Sequence, residues 1–519
     1  MNVADQIRRA VRRFAGLPAV ISGDETRSFA EIDERSDRLA NALLALGLRK
    51  GDRVATLLEN SVRCVEVDFA LAKAGLVRVS LNPRSTAKDA GVILEDSDAT
   101  AFIFGDGYSE IVTAVQPEAK HVRHWLHADE GEGPLAKLPF VLDYEEMLSS
   151  ASSAPVPENC HPEDLYCLFY TSGTTGRPKG VMLSHRSILQ ISFNLLMEVG
   201  PQQAGEKVLL MQPMSHGAGF FVLPWFMRGG VSVIMRHFDA EEVLRLSHEL
   251  EIETIKLVPT MLQRMLRVDV DKSPDLPKLR QIIYGASAMP AEALRKAITR
   301  FGSKFVQIYG QSEAAVTLSV LPLSEHDPDG EHPERLMSAG VPFPSVEMKI
   351  LDTQGNPVGP NEPGEVVLRA PQLMSGYWKL PELTSQTIRD GWLHTKDLGR
   401  IDEHGFLYLL GRMDEMIISG GYNIAPREIE EALYRHPAIQ EAAVVGEPDE
   451  EWGNAVVAYV ALRNRVGESE IIDFARTELG FKRPKRIYRV PELPKNANGK
   501  IQKSALNPQL AMLWEPIPE

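Results

Sequence analysis

The strongest chemical signal in the sequence is a run of small, hydroxyl-bearing and basic residues between positions 171 and 180. The run follows the apolar segment Leu165–Tyr170 and consists of Thr171, Ser172, Gly173, Thr174, Thr175, Gly176, Arg177, Pro178, Lys179 and Gly180. Backbone N–H and hydroxyl groups in such a loop donate hydrogen bonds to phosphate oxygens, and Lys179 adds a positive charge. The spacing differs from that of the Walker P-loop, because Lys179 follows Pro178. We therefore predict a phosphate-binding loop of another type rather than a surface turn.

A second cluster, Tyr309-Gly310-Gln311-Ser312-Glu313, stands at the end of the strand-like run Phe305–Tyr309. Ligand sites of open α/β sheets gather at the carboxyl ends of the strands, so this position suits a binding site. Glu313 would there hold a hard cation such as Mg²⁺ that bridges phosphates, and Ser312 would bond a phosphate or acyl oxygen. Taken alone the pentapeptide is more typical of a loop, and it gains weight only beside the other clusters.

A third cluster is basic and lies near the C-terminus. Between Phe481 and Lys503 the chain has eight Lys or Arg and one acid, Glu492. A solvated face is the ordinary interpretation of such a run. However, Pro494–Lys500 is a turn sequence that would place Lys500 at a loop tip. Phe481 with Arg483 and Lys485 suits the stacking of an adenine and the pairing of phosphates.

The elements that must position these clusters alternate between strand and helix. Strand-like runs occur at Leu165–Tyr170, Val208–Met211, Val231–Met235, Thr254–Val258, Gln281–Tyr284 and Phe305–Tyr309, with helical patterns at Ser187–Met197, Ala240–Leu250 and Ala291–Phe301. This alternation predicts parallel βαβ units in a layered α/β domain. After Ser338 the pattern indicates a small β subdomain, and after Arg412 a small α+β domain. We predict an α/β fold with a large N-terminal domain at 1–413 and a small, mobile C-terminal domain at 414–519.

Composition and charge narrow the class of protein. The chain has 519 residues and a net charge of −15, which disfavours a nucleic-acid-binding protein. Cys64, Cys160 and Cys167 are too few and too irregular for a disulfide framework, and they favour a reducing, cytoplasmic location. The most apolar stretch, Gly217–Met227, is too short to span a bilayer, so we expect no membrane span.

Together, Thr171–Gly180, Tyr309–Glu313, Asp397, Gly411-Arg412 and Lys500 resemble the motifs of the acyl-adenylate-forming superfamily. Acyl-CoA and aryl-CoA synthetases, nonribosomal adenylation domains and firefly luciferase are members. The resemblance covers almost the whole chain and implies two half-reactions. A carboxylate attacks the α-phosphate of ATP to give an acyl-adenylate and pyrophosphate, and a thiol then displaces AMP.

The resemblance also implies roles for single residues. Thr171–Lys179 would hold the β- and γ-phosphates, Glu313 would hold Mg²⁺, and Lys500 would bridge the carboxylate and the α-phosphate, where negative charge accumulates. Ser312 would act beside Glu313 at a position where threonine is usual in the family, with the hydroxyl retained. The remaining nucleotide contacts would come from Gly285, Ala286 and Ser287 beside the adenine, from Tyr309, Gly310 and Gln311, and from Asp397 and Arg412 on the ribose hydroxyls.

Asp414 matches the hinge of the family, about which the small domain rotates between the two half-reactions. By the same resemblance Ser419, Gly420, Gly421 and Tyr422 would line the thiol channel. Phe481, Arg483 and Lys485 favour free coenzyme A over the pantetheine of a carrier protein, because only coenzyme A has an adenine and a 3′-phosphate. Monomer and homodimer both remain open.

His216 matches the position that borders the carboxylate pocket in acyl- and aryl-CoA synthetases. The aspartate that pairs an α-ammonium in amino-acid-activating relatives has no counterpart here, so we expect a fatty or aryl acid. The other expected pocket residues are Gly219, Phe220, Tyr284, Gly310 and Ala314, of which the small ones would leave room. Oxidation of the adenylate, as in luciferase, and a nucleotide-binding protein without catalysis are the competing functions.

Overall fold

A computed structural model describes residues 1–128, 140–157, 159–171, 178–495, 501–512 and 514. The predicted phosphate-loop residues Ser172, Gly173, Thr174, Thr175 and Gly176 and the predicted catalytic residue Lys500 lie outside the described residues. In the part of the chain that is described, no helix combines the length and the apolarity needed to cross a lipid bilayer.

Helices are distributed along the whole described chain. They are α1 (Val3–Phe14), α2 (Phe29–Ala45), α3 (Val62–Ala74), α4 (Ala87–Ser97), α5 (Ser109–Val115), α6 (Tyr144–Ser150), α7 (His185–Glu198), α8 (Val222–Met227), α9 (Ala240–Glu249), α10 (Pro259–Met265), α11 (Ala291–Phe301), α12 (Pro381–Thr387), α13 (Pro426–Tyr434) and α14 (Glu468–Leu479). Their starts follow local capping chemistry. At α2 the Ser28 hydroxyl accepts from the Glu31 N–H at 3.2 Å, and the Glu31 carboxylate accepts from the Ser28 N–H at 2.7 Å.

The strands of the first half are β1 (Pro18–Ser22), β2 (Glu25–Ser28), β3 (Arg53–Leu57), β4 (Val77–Ser80), β5 (Ala101–Phe104), β6 (His124–His127), β7 (Val141–Asp143), β8 (Leu165–Thr171), β9 (Lys179–Ser184), β10 (Lys207–Leu210), β11 (Val231–Ile234), β12 (Thr254–Leu257) and β13 (Gln281–Gly285). Those of the second half are β14 (Phe305–Tyr309), β15 (Ser319–Leu321), β16 (Val341–Pro342), β17 (Glu347–Leu351), β18 (Gly364–Arg369), β19 (Gly376–Tyr377), β20 (Ile388–Arg389), β21 (Trp392–Ile401), β22 (Leu407–Arg412), β23 (Ile417–Ser419), β24 (Tyr422–Ile424), β25 (Ile439–Asp449), β26 (Gly453–Leu462) and β27 (Arg486–Arg489).

Two large sheets build the N-terminal domain. One has the order β16-β15-β14-β13-β12-β10-β11-β1-β2, and its strands β10 to β14 run parallel, as the alternating pattern predicts. The other has the order β19-β9-β8-β4-β3-β5-β6-β7. A single buried cluster joins Phe69 of α3, Leu195 of α7 and Trp225 of α8 to Val181 of β9 and Ile308 of β14. These helices therefore form the layer between the two sheets.

Thr171 and Lys179, at the two ends of the predicted phosphate loop, lie in two antiparallel strands, of which the sequence patterns predicted only the first. Strand β8 pairs with β9, and Thr171 lies opposite Lys179. Helix α7 begins only after β9, with Ser184 as its N-cap. The reason is visible in Val181–Leu183, where Val181 and Leu183 pack into one buried cluster and Met182 between them packs against another, which is the alternation of a strand.

The later part of the chain forms smaller sheets. Strands β17, β18, β20, β21 and β22 form the small β subdomain, and β25, β26 and β27 form the sheet of the C-terminal domain. Both confirm the predicted fold class. Glu431 of α13 accepts a hydrogen bond from the Ala291 N–H at the start of α11, so the small domain contacts the large one there. The boundary at 413/414 stays a prediction.

Candidate active site

Three side chains from two separate segments converge on the carboxylate of Asp397. The Tyr309 hydroxyl and the Gln311 side-chain amide both donate to its Oδ2, the amide at 2.6 Å. Arg412 lies opposite Asp397 in the β21–β22 pair and donates to Oδ1 at 3.0 Å. Burial and the adjacent Asp397 charge raise the pKa of Tyr309, so this hydroxyl stays protonated as the donor. The structure therefore brings together four residues that the resemblance assigned to the nucleotide.

A second convergence surrounds Glu313, just beyond β14. The Tyr377 hydroxyl donates to Glu313 Oε1 at 2.7 Å, and the ammonium of Lys179 lies 5.7 Å from the centre of the Tyr377 ring. Strand β19 carries Tyr377 and pairs with β9, which begins at Lys179. Lys179 of the predicted phosphate loop and Glu313 of the predicted metal site thus share one aromatic neighbour.

The donor set at Glu313 fits a Mg²⁺ ion that arrives with ATP. The described residues contain no group of three or more His, Cys, Asp or Glu able to hold a metal by themselves. Mg²⁺ is commonly bound through one or two carboxylates plus the phosphates of its substrate. Such an ion would neutralise phosphate charge, and the Glu313 carboxylate, whose Oε1 accepts from the Tyr377 hydroxyl, is the group of the chain that would hold it.

The backbone around the predicted adenine position is tightly packed. A Cβ atom on Gly285 would lie 2.2 Å from the Ile308 carbonyl oxygen. Ala286 has φ +70° and Val316 has φ +64°, both in the left-handed region that favours glycine. Such strain persists only where surrounding structure enforces it, and it is frequent at ligand sites. Of these two positions, Ala286 belongs to the predicted nucleotide segment, and Val316 lies three residues beyond Glu313.

An aromatic wall surrounds His216. The ring of Phe169 lies 5.2 Å from that of His216 and 5.7 Å from that of Phe220, and Ser215 Oγ is 2.9 Å from His216 Nδ1. Ser215 and Gly219 also line a cavity that contains the ion pair of Arg78 and Asp68, whose N–O distance is 2.8 Å. The loop with His216 therefore separates an aromatic wall from a charged cavity.

Three expectations about the acid pocket require correction. Tyr284 is completely buried with Phe305 in the cluster under α10 and α11, and its hydroxyl bonds His326 at 3.0 Å. Phe220 belongs to the cluster of the other face, so Tyr284 does not line the same pocket. At Gly219 and Gly310 an added Cβ would meet backbone atoms at 2.3 and 2.4 Å. Close backbone contacts therefore explain why these two positions are glycines, without the room for a substrate that we expected them to provide, although Gly219 also lines the cavity beside Ser215. Ala314 is fully buried, on the Phe220 face.

We expect His216 to remain uncharged between pH 6 and 8. Burial lowers its pKa to about 4, and the charge of Arg78 adds to this effect. The pH profile of kcat/KM for the acid should then show no inflection near 6.5 caused by His216, and His216→Asn should change the magnitude of the profile but not its shape. An inflection near pH 6.5 in the parent enzyme that is absent from His216→Asn would contradict this assignment.

The predicted thiol-channel residues lie on one surface of the C-terminal domain. Gly420 and Gly421 have φ +57° and +83° and make the tight turn between β23 and β24, a turn that requires positive φ at both positions. Tyr422 stacks on Phe481 with ring centres 5.0 Å apart, and these side chains are 60% and 57% exposed. The ammonium of Lys485 lies 3.8 Å from the centre of the Trp452 ring, whose edge touches Gly420.

The other residues predicted for this region lie outside these aromatic contacts. Ser419 is buried at the base of the β23–β24 turn. Arg483 donates to the carbonyl of Gly480 at 3.3 Å, beside the aromatic surface. Asp414 lies 3.8 Å from the Arg412 guanidinium, and its role as a hinge stays a prediction.

Sequence reasoning missed Tyr377, Trp452 and Phe169. Phe169 was hidden in an apolar strand, where alternation alone does not distinguish a pocket wall from the core. Tyr377 and Trp452 stand next to glycines, in Gly376-Tyr377-Trp378 and Trp452-Gly453, which is a weak local signal for a close backbone approach.

Two family profiles match the chain. The profile described as AMP-binding enzyme matches residues 7–378, and the profile described as AMP-binding enzyme C-terminal domain matches residues 428–500. The first range contains Tyr309, Gln311 and Glu313, and the second contains Phe481 and Lys485.

Three curated relatives match over nearly the full length of the chain. A medium/long-chain-fatty-acid–CoA ligase, FadD8 of Mycobacterium tuberculosis, is 34% identical over 98% of this chain and 89% of its own. A feruloyl-CoA synthase of an Amycolatopsis species is 35% identical over 96% of both chains. A fatty acid–acyl-carrier-protein ligase, ScoC of Streptomyces coeruleorubidus, is 34% identical over 94% of this chain and 92% of its own. Since the three identities are equal within one per cent, they do not select among the acids or thiols in these names.

Proposed function

The chain belongs to the AMP-binding enzyme family, within the acyl-CoA synthetase branch of the acyl-adenylate-forming enzymes, and on that basis we propose its reaction. It activates a hydrophobic carboxylic acid, fatty or aryl, with ATP and transfers the acyl group to coenzyme A. A carboxylate oxygen attacks the α-phosphorus and pyrophosphate leaves. The sulfur of coenzyme A then attacks the acyl carbon, AMP leaves with the bridging oxygen, and the thiol proton passes to solvent.

The observation that carries the proposal is the convergence of Tyr309, Gln311 and Arg412 on Asp397 beside Glu313. Two carboxylates thus stand at the carboxyl end of β14, one held by donors and one exposed to a cation. Hydrogen-bond donors and acceptors in fixed positions, as around Asp397, suit the hydroxyl groups of a ribose. A carboxylate such as that of Glu313 suits a Mg²⁺ ion that is bound to phosphates. The arrangement supports a bound nucleotide whose α-phosphate lies between the two groups.

The acid is proposed from the wall around His216. His216 is uncharged and packs on Phe169, which in turn packs on Phe220. Because this wall has no charge of its own, it suits an apolar acyl or aryl group. A cytoplasmic location is proposed from the three cysteines, which are all free thiols.

The test is acid-dependent exchange of labelled pyrophosphate into ATP, followed by formation of the CoA thioester with a panel of fatty and aryl acids. Exchange without thioester formation, accompanied by oxygen uptake, would favour oxidation of the adenylate. Absence of exchange with every acid would favour a nucleotide-binding protein without catalysis.

Coenzyme A is the proposed thiol because of the exposed aromatic and basic surface at Tyr422, Phe481 and Lys485. We expect the double variant Arg483→Ala/Lys485→Ala to raise the KM for CoA, since each charge-assisted bond to phosphate is worth about 1–3 kcal/mol, and to leave adenylate formation unchanged. Steady-state kinetics with CoA as the varied substrate measure the effect.

Arg486 provides the matched control for this double variant. It adjoins Lys485 but lies near Glu447 and Asp449, at 3.6 and 3.7 Å, so Arg486→Ala should leave the KM for CoA at the parental value. An unchanged KM in the double variant, together with acylation of a carrier-protein pantetheine, would instead support carrier loading, as in the name of ScoC.

A further inference from the structure

Lys256 of β12 is a buried lysine whose recorded partners are all uncharged. Lys256 is only 5% exposed. Its ammonium donates to the Gln212 side-chain oxygen at 3.0 Å and to the Leu257 carbonyl at 3.1 Å. In the described part of the chain no carboxylate lies within ion-pair distance of it. Burial alone lowers the pKa of Lys256 to about 7. The protonated side chain has three N–H donors, and these two bonds use two of them among the described residues.

Another buried lysine of the same domain shows what a purely structural role requires. Lys73 of α3 is 1% exposed and forms ion pairs with Asp33 and Asp37 at 2.6 and 3.2 Å. Its charge is therefore compensated within the fold. A buried ammonium without such compensation destabilises a protein compared with an apolar side chain of similar size. Packing and stability thus account for Lys73 but leave Lys256 without an explanation.

The position of Lys256 points to the acid site. In β12 the neighbours Ile255 and Leu257 face the cluster under α9, α10 and α11. Lys256 faces the other side, in register with Ile283 of β13, and its ammonium lies 5.7 Å from the centre of the Phe221 ring. Ile283, Phe221 and Phe220 share one cluster. Lys256 therefore lies behind the turn that bears Phe220, at the carboxyl end of its strand.

The partner of Lys256 is fixed to the same turn. Gln212 precedes His216 by four residues, and the Asn60 side chain bonds both the Gln212 carbonyl and the Met214 N–H, at 2.8 and 2.9 Å. The segment from Gln212 to His216 is thereby held in one conformation. One end of this segment holds the uncharged ring of His216 and the other holds the amide that orients Lys256.

From this geometry we infer that Lys256 and Gln212 form the far end of the acid pocket and bind an acceptor oxygen on the tail of the carboxylic acid. The oxygen belongs to a second carboxylate, a hydroxyl or a carbonyl group at the end distant from the reacting carboxylate. This inference rests on the proposed function and narrows its substrate class, from hydrophobic acids in general to acids with an apolar middle and an oxygen-bearing end.

The test compares acids that differ only at the far end. One series consists of octanoic acid, 8-hydroxyoctanoic acid and octanedioic acid. The other consists of cinnamic acids with a para-methyl, para-hydroxy or para-carboxy group. We expect kcat/KM for an oxygen-ended acid to exceed that for its methyl-ended partner by about ten- to a hundred-fold, the scale of one hydrogen bond to a charged group. The hydroxy and carboxy members show which kind of oxygen is bound.

Lys256→Met identifies the residue responsible. It replaces the ammonium with an apolar side chain of similar length, so the preference should reverse toward the methyl-ended acids while the KM for ATP stays at the parental value. Thermal unfolding should not occur at a lower temperature, because a buried uncompensated ammonium has been removed. Lys207→Met, at the amino end of β10 in the same sheet, is the matched control and should retain the parental preference.

Two results would overturn the inference. The first is equal kcat/KM in the parent enzyme for all members of each series. The second is an equal loss for all members in Lys256→Met, which would show a structural role. Pyrophosphate exchange with any of these acids upholds the proposed function in both cases, whereas no exchange with all of them refutes the proposed function and the inference together.

Discussion

Lys500→Ala slows acyl-adenylate formation by about 10²–10³-fold, the expected scale for removing one preorganised electrostatic group. The reason is that negative charge develops between the attacking carboxylate and the α-phosphate in the first half-reaction, where the Lys500 ammonium would stand. If the small domain then rotates away, Lys500 takes no part in thiolysis. The same variant supplied with a pre-made acyl-adenylate should form the CoA thioester at nearly the parental rate. Rapid-quench measurements of each half-reaction separate the two steps.

Lys495 provides the control for the lysine at position 500. It lies five residues away, and its ammonium forms ion pairs with Glu441 and Glu492 at 2.8 and 3.0 Å. Lys495→Ala should therefore leave the ratio of the two half-reaction rates unchanged. Equal loss of both half-reactions in Lys500→Ala, with unchanged thermal unfolding, would refute domain alternation. No loss in either would place Lys500 outside the active site.

The second large effect is expected from Glu313→Gln. The substitution removes the negative charge but keeps the size, and the Tyr377 hydroxyl can still donate to the remaining oxygen, so the side chain should stay in place. We expect kcat/KM for Mg²⁺-ATP to fall by about 10–100-fold, because interactions of charged groups of this kind are worth about 1.5–3 kcal/mol. The KM for the acid should change little. Initial rates over a series of Mg²⁺ concentrations measure the effect.

Tyr377→Phe provides the matched comparison. It leaves the Glu313 charge intact and removes one neutral donor, so its expected effect is two- to ten-fold, in line with about 0.5–1.5 kcal/mol for one hydrogen bond. An adenylation rate of Glu313→Gln that equals the parental rate at every Mg²⁺ concentration would refute the metal role of this carboxylate. A larger loss in Tyr377→Phe than in Glu313→Gln would show that orientation outweighs charge.

The mechanism that these variants test depends on two kinds of held carboxylate. Asp397 accepts from three donors and is 8% exposed, so its oxygens are oriented before a ribose arrives. Glu313 accepts from Tyr377 through Oε1, and we expect its other oxygen to bind a cation. Such preorganisation reduces the reorganisation needed when the nucleotide binds.

Local patterns in the sequence determined the elements and the fold class. The strand Phe305–Tyr309 and the helix Ala291–Phe301 have the same limits in the prediction and in the structure. Their periodicity and their end signals are short-range properties, which a sequence displays without knowledge of its neighbours. The ordered motifs likewise predicted Asp397, Arg412, Glu313 and Lys179 as parts of one site, because each motif carries its own recognisable chemistry. The structure brings Arg412 to Asp397 and places Lys179 and Glu313 beside Tyr377, and the roles of these residues stay predictions.

Only the tertiary structure decided which side chains meet across long separations and on which face of a sheet they lie. Tyr377 reaches Glu313 across 64 residues because β19 pairs with β9, a pairing that no local pattern indicates. Tyr284 is directed away from Phe220 and Lys256 is directed toward it, because neighbouring strand positions alternate between the faces of the sheet. Since both faces are buried, the sequence does not show which side chain lies on which face. The sequence by itself therefore determined the reaction class, and the packing of the sheets decided which residues surround the acid.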